Sequence, residues 1–278
     1  MKKMKATVLI AFSLLGCASD ANKEELIDEA TFDSREKMLV SSGNGKAVID
    51  FYKDELQKRD SEEIRLRLVQ AYININDYES AFFHLEDIEI NDENVSKVAF
   101  LKAKVYLAMG DIESAYLRAQ TALAVKSIYP EAENLMGLIL AEKGDYQKSK
   151  EFFLLAKKHY YDDLTIANNL SVLDLLVGDY GSVVDRLQPF YFNGEADRTV
   201  KANLVLANAK LGRYQQVESI LKEQGYKNEQ IQKIFVILTT ANNQQNVNAH
   251  GAQLDIPVDK VVKKKVKVIQ GVEYEAHN

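Results

Sequence analysis

Four histidines, one cysteine and many carboxylates are the side chains from which a catalytic or metal centre would have to be built. His84, His159, His250 and His277 are widely separated, and none sits in the HExxH spacing that sets two imidazoles on one helical face. Cys17 is the sole cysteine, so it has no internal disulfide partner and no thiolate companion for a metal. No glycine-rich phosphate loop follows a strand pattern, and the recurrent Gly-Asp pairs are turn chemistry rather than ligands. The remaining carboxylates are spaced like a solvated helix surface. These residues predict no catalytic constellation, no metal, no cofactor and no small-molecule substrate, so function has to come from a surface.

The N-terminus carries chemistry of a different kind. Met1 to Lys5 is basic, Ala6 to Leu15 is apolar apart from Thr7 and Ser13, and Gly16, Cys17, Ala18 and Ser19 are small. That is the three-part pattern of a secretory signal, with an apolar run about half the roughly 20 residues that span a bilayer. The ending Leu14-Leu15-Gly16-Cys17 resembles a bacterial lipobox. The resemblance implies removal of 1–16 and acylation of Cys17, a covalent lipid anchor stable because several chains insert; the alternative is a secretory signal cut near Ala18 that leaves Cys17 an incidental thiol. Ala18 after the cysteine implies sorting to the periplasmic side of the outer membrane. Residues 17–30 read as the lipidated cysteine and a short polar tether.

The full chain has 35 basic and 41 acidic side chains. Loss of Lys2, Lys3 and Lys5 leaves 32 against 41, a net charge of −9. Such an acidic chain is a poor counter-ion for nucleic acid.

The elements that would present a surface are set by an internal repeat. Asn76-Asp77-Tyr78 recurs as Gly110-Asp111-Ile112, Gly144-Asp145-Tyr146, Gly178-Asp179-Tyr180 and Gly212-Arg213-Tyr214. The step of 34 is the tetratricopeptide period. Apolar residues at helical spacing flank each turn, as in Leu135, Leu138 and Ile139 before one and Ala115, Ala119 and Ala122 after another. Glycine suits the left-handed end of the first helix and aspartate the cap of the second. The fold class predicted is all-α: a solenoid of helix-turn-helix hairpins with a C-terminal capping helix.

Small residues are required where paired backbones approach: Ala103, Ala115 and Ala122 in one repeat, Gly137, Ser149 and Ala156 in the next. Tyr106, Met136, Leu140, Phe153, Leu170, Leu187, Leu204 and Leu221 should fill the gaps between. Ile88, Phe190 and Gln224 replace the last small residue elsewhere, which predicts wider packing there. The organisation expected is a degenerate repeat over 31–61, five repeats over 62–227, and a capping helix over 228–240 with Ile231, Ile234, Phe235 and Leu238 on one face.

In this architecture the first helix of each repeat lines the concave face. Its outward positions are Leu66, Gln70, Ile73, Phe100, Lys104, Leu107, Asn134, Leu138, Asn168, Val172, Leu175, Ala202 and Leu206. Phe100, Leu107, Leu138 and Val172 are the candidate apolar contacts, and Asn134 and Asn168 the candidate amide contacts, of a groove for a helix or extended peptide. Packing against the neighbouring repeat competes with that role at each position. The lysine, asparagine and arginine set by which chaperone-binding members hold a terminal carboxylate is absent, which argues against a carboxylate-ended peptide.

Residues 241–278 begin rich in asparagine and glutamine and later run Val261-Val262-Lys263-Lys264-Lys265-Val266-Lys267-Val268-Ile269. The composition reads as a disordered basic tail. The alternatives are a segment that becomes a strand on binding, or one that touches anionic lipid or cell-wall polymer.

The stretch from Glu131 to Leu238 resembles the TadD-type tetratricopeptide lipoproteins of Flp (tight adherence) pilus systems. The residues that carry the likeness are 132–144 (AENLMGLILAEKG), 167–178 (ANNLSVLDLLVG), Leu187 to Pro189 before a loop, and 200–212 (VKANLVLANAKLG). The lysine-rich tail is a departure from it. The resemblance implies an accessory protein of pilus assembly or secretion at the outer membrane, with a secretin or another pilus component as partner. A pilotin of the ordinary type IV pilus and an NlpI-type adaptor for cell-wall hydrolases share this lipoprotein-plus-repeat build and stand as alternatives, with an enzyme of unrecognised site the least favoured.

Overall fold

The computed structural model describes residues 31–240. Cys17 with its lipid, the tether and the lysine-rich tail lie outside the described residues. No strand occurs among the described residues. The chain divides into two compact units between Asp60 and Ser61.

In the first unit, a helix described over 31–41 (α1) and α2 (Gly45–Lys58) form a hairpin. Gly43 takes the left-handed conformation between them, with φ 67°. The Asn44 side chain then caps α2 by accepting from the Ala47 amide at 3.1 Å. Phe32 and Phe51 meet with ring centroids 5.0 Å apart.

The second unit holds five more hairpins: α3 (Glu62–Asn74) with α4 (Tyr78–Glu86), α5 (Val95–Met109) with α6 (Ile112–Val125), α7 (Pro130–Glu142) with α8 (Tyr146–Lys158), α9 (Asp163–Val177) with α10 (Tyr180–Phe192), and α11 (Arg198–Lys210) with α12 (Tyr214–Glu223). The lone helix α13 (Asn228–Thr240) packs on α11 and α12. It buries Ile231, Ile234 and Leu238 and so covers the last hairpin.

The periodic turns use one geometry. Asn76, Gly110, Gly144, Gly178 and Gly212 all have positive φ, between 61° and 85°. This bend lets the next amide bond back to the ending helix: Asp77 to the Tyr72 carbonyl and Asp111 to that of Tyr106, both at 2.9 Å. The aspartates then cap the following helices. Asp77, Asp111, Asp145 and Asp179 accept from the amides of Ser80, Ser114, Lys148 and Ser182 at 3.1–3.2 Å. Arg213 holds the same place without a side-chain cap bond.

Packing follows residue size. Ala103, Ala115 and Ala122 are fully buried. At Gly137 an added Cβ would lie 2.5 Å from the Phe153 ring, and the Gly137 carbonyl accepts from the Ser149 hydroxyl at 2.7 Å. Phe153 is itself fully buried, worth about 1.5–3 kcal/mol of transfer free energy. Of the three repeats that lack the last small residue, two have a short second helix: α4 has 9 residues and α12 has 10, against 14 in α6. α10 keeps 13 with Pro189 inside it.

Burial is unequal between the two helices of a hairpin. α7 buries ten of its thirteen residues, whereas α8 buries Ser149, Phe153 and Ala156. The reason is contact: α3, α5, α7, α9 and α11 pack on their own partners and also on one another in chain order. A helix hemmed in on several sides must be apolar nearly all round, and this row of first helices positions the candidate residues.

Candidate interaction surface

All six candidate groove residues lie on this row and are less than a tenth exposed, from Asn168 at 0% to Phe100 and Val172 at 8%. Phe100 on α5 packs its ring 5.1 Å from that of Tyr129, with the Lys104 ammonium 5.5 Å above it. Leu107 on α5, Leu138 on α7 and Val172 on α9 are buried. Burial also pushes the Tyr129 hydroxyl up to about 12, with the Glu131 charge adding to the effect. It pushes the Lys210 ammonium down at the end of α11.

The two asparagines are engaged between repeats. Asn169 Nδ2 donates to Asn134 Oδ1 at 2.9 Å, joining α9 to α7. Asn203 Nδ2 donates to Asn168 Oδ1 at 2.7 Å, joining α11 to α9. Asn169 and Asn203 were not among the sequence candidates. Their signal was present all the same: 134 and 168, like 169 and 203, are one period of 34 apart. Asn168 Nδ2, Asn169 Oδ1 and Asn203 Oδ1 have no hydrogen-bond partner although buried. Each such atom costs about 1–3 kcal/mol.

Two more features escaped the sequence reading. Glu133 on α7 is fully buried, and both its oxygens lie 2.7–2.8 Å from Nδ1 of His159 at the end of α8. Tyr160 has φ 65° and is 96% exposed. The equivalent residues after α10 and α12 are Gly194 and Gly225, at φ 79° and 84°. Among the described residues no group of three or more His, Cys, Asp or Glu could hold a metal, and no helix is long and apolar enough to cross a membrane.

These hairpins, with one left-handed turn every 34 residues and small residues where the helices cross, decide the architecture. The fold is an all-α tetratricopeptide-repeat solenoid. No family model matches the chain. Over 120 residues, 43% of its length, it is 29% identical to tetratricopeptide repeat protein 21B of Xenopus laevis, of which it spans only 9%. Its fold is similar to that of pilF from Pseudomonas aeruginosa, with a TM-score of 0.58 over 76% of this chain and 98% of that one, at 15% identity. The first helices α3, α5, α7, α9 and α11 form one continuous row in this solenoid.

Proposed function

We propose that this chain is a non-enzymatic scaffold of Flp (tight adherence) pilus assembly or secretion. It would be anchored through acylated Cys17 on the periplasmic side of the outer membrane and bind a secretin or another pilus component. The observation that carries the reading is the row α3, α5, α7, α9 and α11, which sets Phe100, Leu107, Leu138 and Val172 on the same layer as Asn134 and Asn168. Apolar anchors on a rigid layer supply most of the affinity of a protein interface. The lipobox residues and the likeness of 131–238 to TadD-type lipoproteins support the anchor and the pilus context.

The test uses two variants in cells. Cys17→Ser should leave the protein uncleaved or release it from outer-membrane fractions. Lys104→Glu with Leu138→Ser should abolish pilus-dependent adherence while fractionation and helical circular dichroism stay as in the wild type. Normal piliation by a folded groove variant would refute the groove. Loss of cell-wall hydrolase localisation with pili intact would favour the cell-wall adaptor instead.

A further inference from the structure

We infer that the edge of the array formed by its periodic turns is a docking surface for the lysine-rich run 260–269 of the same chain. Ile75, Met109, Val177 and Leu211 each stand directly before the left-handed residue of their turn, one or two periods of 34 apart. They are 38–66% exposed. A single exposed apolar side chain means little, but one at the same place in four of five hairpins makes a row. Neighbouring first helices pack about 8–10 Å apart, so the row runs about 30–40 Å along one edge. None of these residues belongs to the candidate groove, and the inference does not depend on it.

Charge follows the same period. Two residues past Ile75 and Met109, Asp77 and Asp111 cap their helices, and a capping carboxylate still has lone pairs for an ammonium. Glu79 and Glu113 add two more carboxylates in the first turns of α4 and α6. Cations gather further along the edge: Lys143 replaces the apolar residue of the third turn and pairs with Glu113, Lys148 pairs with Asp145 at 2.8 Å, and Arg213 holds the last turn. The α3–α4 and α5–α6 turns are therefore the acidic half, and they are where the run docks. Sign, composition and reach fix the occupant. Residues 260–269 are five lysines and five β-branched residues, with no acid among them. They repeat the mixture of apolar and charged groups on the edge with the opposite sign. A lysine stem lies along apolar surface while its ammonium stays in water, so it covers Ile75 or Met109 and reaches the neighbouring carboxylate. The 20 residues 241–260 between α13 and Val261 extend to about 70 Å at most, more than the length of the row. A tethered segment also meets its site at an effective concentration on the order of millimolar, which a second copy does not reach. Each exposed ion pair contributes little, so the contact needs several of them over the apolar row and weakens with salt.

The test is zero-length carbodiimide coupling of the full chain, read by mass spectrometry, together with its methionine methyl resonances. Lys263, Lys264, Lys265 and Lys267 should couple to Asp77, Glu79, Asp111 or Glu113. In a mixture of light- and heavy-isotope chains the couplings should stay within one chain. The exposed Met109 methyl should shift when those four lysines are changed to glutamate, and also in about 1 M salt, where charges are screened beyond about 3 Å. The buried Met136 methyl should stay in place. Ile75→Ser with Met109→Ser should lower the coupling yield at least threefold at an unchanged melting temperature. Coupling mainly to carboxylates away from the turns, such as Glu131 or Asp163, would overturn the inference. So would a Met109 methyl that ignores both the substitutions and the salt. Unchanged coupling in the serine variant would remove the apolar row from the site and overturn it as well. Light–heavy adducts in statistical proportion would make the occupant a second copy, against the inference. If the glutamate variant does not fold, the wild-type couplings and the salt series decide.

Discussion

Glu133 and His159, 26 residues apart on α7 and at the end of α8, form a carboxylate–imidazole clamp with both carboxylate oxygens within 2.8 Å of Nδ1. The carboxylate is wholly buried, while the imidazole side chain keeps 18% of its exposure. The clamp ties the entry of the first helix to the exit of the second within one hairpin. His159→Ala strands a buried carboxylate and should cost about 3–5 kcal/mol. Glu133→Gln with His159→Ala should cost less than the sum of the two single changes, because the groups share one interaction. Urea unfolding of the four proteins measures the coupling, and additive losses would show that the clamp carries none.

At Gly137 on α7 the Phe153 ring of α8 occupies the space a Cβ would take. Gly137→Ala should therefore destabilise by about 1–3 kcal/mol despite the better helix propensity of alanine. A gain in stability would mean that Phe153 moves aside freely.

Tyr160 should respond in the opposite direction. Its backbone is left-handed and the residue almost fully exposed, so the strain is not offset by burial. Tyr160→Gly should stabilise by about 1 kcal/mol in thermal unfolding. If partner binding weakens in the same variant, the displayed tyrosine is a contact.

Acid should loosen the hairpins through their caps. The Ser114 hydroxyl and amide hold Asp111 below the ordinary aspartate range, and the contacts of Asp145 with Lys148 and of Asp179 with Ser182 do the same. A depressed carboxyl contributes stability above its unfolded pKa, and that contribution is lost as pH falls through the folded value. Melting temperature should thus be flat near neutrality and drop in the acid range. Changing all three aspartates to asparagine, which caps nearly as well, should flatten the drop. An identical acid limb in that variant would assign it to other carboxylates.

The repeat was legible because its causes are local. A left-handed residue and a capping aspartate every 34 positions are written in Gly110-Asp111 and its copies, and Ala103 and Ala115 show where backbones meet. Inter-repeat pairing was harder to see. Asn134 and Asn168 fall on the outward helical positions, yet their partners Asn169 and Asn203 are defined only once neighbouring first helices stack. Glu133 looked like surface charge because helix periodicity cannot show that α8 delivers an imidazole to it. Tyr160 was missed because the neighbouring repeats mark that turn with glycine, and tyrosine carries no turn signal.

The central claim is that the row of first helices, not the outer face, meets the partner. A photo-crosslinking residue placed at Lys104 on α5 or at the exposed Leu117 on α6 decides between them in living cells. The account predicts an adduct from position 104, identified by mass spectrometry as a secretin or another pilus-assembly component, and none from position 117. Adducts to that component from 117 alone would contradict it.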